Sequence, residues 1–159
     1  MIDAKILVII PAYNEQASIA RVIERVKESV PAADIVVINA GSHDSTSLVA
    51  YESGAKVISL PYNLVIGAAV QTGFILAQSG NYEIAIQVDG DGQHDPSEIE
   101  VLMSRLIADE SDVVVGSRYL TDRGYVTPWP RLLGTKILAA YVSMPVSYTH
   151  LTLPTKRIV

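Results

Sequence analysis

Apolar β-branched runs and helical stripes alternate along most of this chain. Lys5–Ile10 is a short apolar run closed by Pro11, the pattern of a strand buried in a parallel sheet. After the turn Ala12-Tyr13-Asn14-Glu15, Ile19, Val22, Ile23 and Val26 recur at helical spacing. Ile35–Ile38 predicts a second buried strand, followed by Asn39-Ala40-Gly41-Ser42. Asp44 or Ser45 is placed to cap a helix running to about Ser53-Gly54. Lys56–Leu60 predicts a third strand, and Gly67–Gln78 a helix that stops near Gly80. Ile84–Val88 predicts a fourth buried strand. Pro96-Ser97-Glu98 then opens a helix whose stripe is Ile99, Leu102, Met103 and Leu106, and Asp112–Val115 predicts a fifth strand.

This alternation, joined by short connections and right-handed crossovers, gives an α/β fold: a mostly parallel sheet with helices on both faces. Leu132–Val142 reads as a further helix. From Met144-Pro145 onward neither period survives, so residues 145–159 read as a non-native or disordered tail behind one domain over residues 1–144.

Composition narrows the classes. The chain has 159 residues, 49% hydrophobic and 18% charged, which fits one globular domain. A net charge of -5 argues against a nucleic-acid surface, which would be basic. There are no cysteines, which excludes disulfides and thiolate zinc sites. No basic region followed by an apolar run marks a secretory leader, and no stretch reaches the ~18 apolar residues of a membrane span.

The candidate chemistry lies in Asp89-Gly90-Asp91-Gly92-Gln93-His94-Asp95, where the fourth apolar run stops at two carboxylates. Open α/β sheets bind ligands at the carboxyl ends of their strands. Two acids this close to a phosphorylated ligand repel it, at ~4 Å by about 4 kcal/mol per pair in a medium of effective dielectric near 20. A divalent cation between them reverses the sign. Asp89 and Asp91 therefore read as a metal–diphosphate site. The spacing also fits a calcium loop, but that loop needs a preceding helix and glycine at its sixth position, where His94 stands. His94 itself reads as a residue supporting the loop or the helix start rather than a ligand.

Val8-Ile9-Ile10-Pro11-Ala12-Tyr13-Asn14-Glu15, the turn Gly41-Ser42…Asp44, Asp89-Gly90-Asp91-Gly92-Gln93-His94 and Gly116-Ser117-Arg118 occur in the order and spacing of one family. Together they resemble the family 2 glycosyltransferases of GT-A fold, and most closely the polyprenyl- and dolichyl-phosphate sugar transferases. The likeness covers about residues 5–140 of a C-terminally incomplete catalytic domain. It implies a Rossmann-like architecture and an inverting, metal-dependent hexosyltransferase. The donor would be a nucleoside-diphosphate sugar of the GDP-mannose or UDP-glucose type, the acceptor a polyprenyl phosphate. The alternatives within the likeness are a saccharide hydroxyl acceptor, or a fragment that binds nucleotide sugar without turnover.

The resemblance carries roles with it. Pro11, Tyr13, Glu15, Asn39, Gly41, Ser42 and Asp89 would bind the donor, and Asp89, Asp91 and Gln93 would hold Mg2+ or Mn2+, which suit oxygen ligands. Arg118 and Arg131, with Thr135, would hold the acceptor phosphate. It further implies a cytoplasmic protein that reaches the inner face of the membrane through peripheral lipid contact, with no nucleic-acid partner. Two departures stand out. Asn39-Ala40 replaces the family's usual Asp-Asp, removing two charges, and Asn63–Ala69, a segment usually richer in glycine, carries Val65 and Ala68, which crowd a backbone that wants φ > 0. A dinucleotide enzyme is disfavoured, because no Gly-x-Gly-x-x-Gly follows Ile10.

Overall fold

The structure is a computed structural model that describes residues 4–63, 65–108 and 111–116. Its strands are β1 (Ile6–Ala12), β2 (Asp34–Asn39), β3 (Lys56–Ser59) and β4 (Ile84–Gln87). They form one parallel sheet in the order β3-β2-β1-β4. Between them run helices α1 (Ile19–Ser29), α2 (Thr46–Glu52) and α3 (Val65–Ser79); after β4 a 3-10 turn, Pro96–Glu98, leads into α4 (Ile99–Ala108).

Period two along the strands sorts the core into two layers. Val8, Ile10, Val37 and their neighbours meet α1, α2 and α4 through Ile19, Ile23, Val26, Ala50, Ile99 and Met103. Leu7, Ile9, Val36 and Ile38 meet α3 through Ala69 and Ala77. Strand β1 is central and buried at every position, so it is apolar throughout. The expected α/β architecture with helices on both faces is the one observed.

Four local expectations are corrected, the last of them at Pro11. The fifth strand at Asp112–Val115 is absent: these residues join no ladder, and Val113 and Val115 are exposed. Their β-branched side chains favour extended backbone, but a strand is a paired state that propensity alone does not create. Strand β4 is half-exposed rather than buried, with Ala85 and Gln87 open, because in the described sheet it has a neighbour only in β1. Helix α3 starts at Val65, two positions before the Gly67 read from the sequence. Its first residue stands at φ 71°, a left-handed conformation that a β-branched side chain resists.

Pro11 does not end β1, as its position suggested; it ends only one of the two ladders. The β1–β2 pairing continues to Ala12↔Asn39, whereas β1–β4 stops at Ile9↔Gln87. Parallel ladders use alternate residues for alternate neighbours. The Ile9 carbonyl accepts the Val88 N–H at 3.0 Å, so the next donor toward β4 belongs to residue 11. Proline has none. Beyond this point β4 departs from β1, and the acidic loop begins.

Candidate functional site

Three loops leave the carboxyl ends of β1, β2 and β4 at the same edge of the sheet. The first two are joined by side chains that bond to the opposite backbone. Asn14 N–H donates to Ser42 Oγ at 2.9 Å, while Asn14 Oδ1 accepts the His43 N–H at 3.0 Å. Glu15 N–H donates to the hydroxyl of the fully buried Thr46 at 2.8 Å. Gln16 N–H donates to Asp44 Oδ2 at 3.2 Å, and Gln16 Oε1 accepts the Ser45 N–H at 3.1 Å. Asn14 takes φ 57°, which asparagine tolerates better than most residues.

Asp44 is the hinge of this network. Burial alone would push its carboxyl up, but hydrogen bonds from the Thr46 hydroxyl, the Thr46 N–H and the Gln16 N–H outweigh burial and hold it below the ordinary carboxylate value. The sequence placed Asp44 or Ser45 as a helix cap. Ser45 occupies the cap position of α2 without a side-chain bond, while Asp44 Oδ1 accepts the Thr46 N–H at 3.0 Å.

Asn39 is buried beneath the second loop. Its Oδ1 accepts the Ser42 N–H at 2.9 Å, and its Nδ2 donates to Ser47 Oγ at 2.6 Å and Ser59 Oγ at 3.2 Å. Gly41 then turns at φ 76°, where an added Cβ would lie 2.9 Å from the Tyr62 carbonyl carbon.

The acidic loop is tied at several points. Asp91 Oδ1 accepts the Gln93 N–H at 2.9 Å, and Asp89 Oδ1 accepts from Gln87 Nε2 at 3.1 Å. His94 Nδ1 accepts the Asp89 N–H at 3.5 Å and lies 3.7 Å from Asp89 Oδ2, so it ties the backbone of that acid to the end of the loop. Asp95 caps the following turn. Its carboxyl is held low by the Ser97 N–H and hydroxyl, against some burial, and by Arg25 at 2.6 Å. Gly90 is packed so that a Cβ would lie 3.1 Å from the Pro11 carbonyl oxygen. A strand rather than a helix precedes the loop, which excludes the calcium-loop arrangement.

A cleft of about 280 Å3 opens between these loops and the start of α3. Pro11, Tyr13, Glu15, Asp89 and Asp91 line it, joined by Ala12, Ala40, Asn63, Val65, Ile66, Ala69 and Gly90. Asn39, Gly41, Ser42 and Gln93 shape the loops without lining the cleft. Tyr13 stands edge-on to His43 with ring centroids 6.5 Å apart. Arg118, Arg131, Thr135 and the Leu132–Val142 helix lie outside the described residues. The sequence reading passed over Ser18, Thr46 and Gln16, whose side chains bind the loops together. The signal for Thr46 was the run Asp44-Ser45-Thr46, polar residues that bond readily to nearby backbone.

Whether a divalent cation fits can be judged from the donors. Asp91 commits one carboxylate oxygen to the Gln93 N–H, leaving the other, and Asp89 and Asp91 both face the cleft. Among the described residues no group of three His, Asp or Glu side chains is gathered to cage an ion. The set suits a hard cation that takes its remaining oxygens from a ligand diphosphate and water, as Mg2+ does.

Comparison with known proteins follows the same line. The family described as Glycosyl transferase family 2 matches residues 7–153. Protein RfbJ of Shigella flexneri is 41% identical over 113 residues, covering 71% of this chain and 84% of that protein. Polyprenol monophosphomannose synthase of Mycolicibacterium smegmatis is 33% identical over 144 residues, covering 85% of this chain and 53% of the synthase. Among solved structures, glucosyl-3-phosphoglycerate synthase from Mycobacterium tuberculosis, in complex with Mn2+ and UDP-glucose, superposes with a TM-score of 0.57 at 30% identity. That match covers 68% of this chain and 41% of the synthase, so the chain spans about half the length of these two synthases. Among the described residues no helix is long and apolar enough to cross a membrane.

Proposed function

The chain belongs to glycosyl transferase family 2, and on that premise we propose that it transfers a sugar from a nucleoside-diphosphate donor bound in the cleft. The observation that carries this reading is the placement of Asp89 and Asp91 on the same cleft as Pro11, Tyr13 and Glu15. Pro11 and Tyr13, which line the cleft, would wall the nucleoside, and Asp89 and Asp91 would hold Mg2+ or Mn2+. A bound cation supplies neutralisation of the departing nucleoside diphosphate. Asp89 and Asp91 orient that charge, His94 and Gln87 steady Asp89, and the Gln93 N–H steadies Asp91. Attack from the opposite face inverts the anomeric carbon.

For the acceptor, a hydroxyl-bearing small molecule that carries phosphate is the better-supported class. The structural relatives include a glucosyl-3-phosphoglycerate synthase bound to UDP-glucose and phosphoglyceric acid at 30% identity. A polyprenyl phosphate is the second reading, supported by the likeness to polyprenol monophosphomannose synthase and to undecaprenyl-phosphate mannosyltransferase of Micrococcus luteus. Both acceptors present a phosphate, which the side-chain chemistry of Arg118, Arg131 and Thr135 suits. They differ at the nucleophile: a phosphate monoester is already largely ionised at neutral pH, with a second pKa of ~6, whereas a hydroxyl needs a base.

The test measures thermal stabilisation of the chain by UDP and GDP, each with and without Mn2+, beside Asp91→Ala. Manganese-dependent stabilisation by one nucleotide, lost in the variant, is expected. No stabilisation by either nucleotide in a cooperatively folding sample would sink the donor reading. Transfer of labelled sugar to phosphoglyceric acid or to undecaprenyl phosphate then separates the acceptor classes.

A further inference from the structure

Ser18 immediately precedes α1, at the position where a serine ordinarily accepts an N–H from the first turn. It makes no such bond. Its hydroxyl lies 2.7 Å from Glu15 Oε2 and 3.2 Å from the Glu15 carbonyl, on the first loop. On its other side the Gly90 carbonyl, between the two acids of the acidic loop, is 2.8 Å away. A hydroxyl has one proton, and the carboxylate and both carbonyls only accept. That proton is shared between Glu15 and Gly90, while the Ser18 N–H, 3.1 Å from the Glu15 carbonyl, ties residue 18 to the first loop independently of the hydroxyl.

Gly90 is held from a second direction as well. It is buried, and an added Cβ would lie 3.1 Å from the Pro11 carbonyl oxygen and 3.3 Å from the Ala12 Cβ. Residue 90 is thus gripped between the end of β1 and the Ser18 hydroxyl. Its immediate neighbours are Asp89 and Asp91, so a shift at residue 90 turns both carboxylates together.

We propose that Ser18 is a positioning residue: by holding the Gly90 carbonyl against the Glu15 loop, it sets the spacing at which Asp89 and Asp91 meet a cation and its diphosphate. The proposal rests on the donor-site reading above. It assigns a role in metal–nucleotide binding to a side chain that does not line the cleft. Residues that orient metal ligands typically change metal affinity by about 10–100-fold when removed.

The experiment titrates Mn2+ by water-proton relaxation in the presence of UDP or GDP, whichever stabilises the wild-type chain. It compares wild type, Ser18→Ala, Ser18→Cys and Ser18→Thr, with nucleotide affinity also measured without metal. Ser18→Ala and Ser18→Cys are expected to weaken Mn2+ binding by about 10-fold or more, with metal-free nucleotide affinity kept. Ser18→Thr, which keeps the hydroxyl, is expected to restore it. Cysteine matches serine in shape and is a weak donor, so it carries the test if alanine fails to fold. Wild-type Mn2+ affinity in both Ser18→Ala and Ser18→Cys overturns the proposal and leaves the donor site standing. An equal loss with and without metal also overturns it, because that marks a general folding defect. A wild-type chain that binds no Mn2+–nucleotide removes the donor-site reading itself, and the proposal with it.

Discussion

At the scale of single residues, the site depends on short polar side chains that bond both to the backbone of neighbouring loops and to one another. Asp44 shows how this couples to pH. Its folded carboxyl titrates below the ordinary value, because the Thr46 and Gln16 bonds outweigh burial. A depressed folded pKa contributes stability that is fully present above the unfolded carboxylate pKa, ~3.9, and is lost as pH falls through the folded value. Asp44→Asn is therefore expected to melt below wild type at pH 7, with the gap closing as pH is lowered toward 3. Thermal melts of both chains across that range check it; a gap constant with pH would mean that the charge of Asp44 contributes nothing. Asp44 was legible in the sequence as a cap and a motif residue, but not as a tie between loops, because its partner Gln16 lies on another loop. Ser18 was less legible still. Its place suggests an ordinary helix start, and its bond to Gly90 spans 72 residues of chain.

Among the elements, α3 sits closest to the sheet. Ala69, Gly73 and Ala77, one turn apart, are its buried residues, and they let its backbone approach β1 and β2. An added Cβ at Gly73 would lie 2.2 Å from Ile9 Cγ2, on a strand with no room to yield. Gly73→Ala gains up to ~1 kcal/mol of helix propensity but overpacks the layer, which costs about 1–3 kcal/mol or more. A lower denaturation midpoint is expected, and adding Ile9→Ala is expected to cost less in the Gly73→Ala background than in wild type, because the two side chains compete for one space; a stabilised single variant would show that α3 can lift freely. The sequence revealed this helix but not its close seat, since small residues at helical spacing also fit an exposed surface. Strands β1 and β2 were legible because central parallel strands are apolar at nearly every position. The same local reading overreaches at Asp112–Val115, where a β-branched pattern has no ladder to join.

On the scale of the whole molecule, the described fold gathers three loops onto one edge of a four-stranded sheet, and ligand binding reports on all of them together. A nucleotide at 100 times its dissociation constant adds about 2.7 kcal/mol to stability. For a chain of this size that raises Tm by roughly 5–10 °C, well above the scatter of a melting experiment. The family and the acidic loop were readable from motif order. Which of the motif residues face the cleft was readable in part: Pro11, Tyr13, Glu15 and Asp89 line it while Asn39, Gly41 and Ser42 do not, and the opening depends on where the β1–β4 ladder stops. That stop is a single missing hydrogen atom, the amide hydrogen that Pro11 lacks. Pro11→Ala restores a donor opposite the Val88–Asp89 backbone and allows the sheet to zip one rung further. The variant is expected to gain stability and lose nucleotide affinity, measured by Tm and by the Mn2+-dependent shift; unchanged affinity would show that the loops set the opening without the proline. The cleft is then a bargain struck in the backbone itself, with cohesion surrendered at one rung in exchange for access.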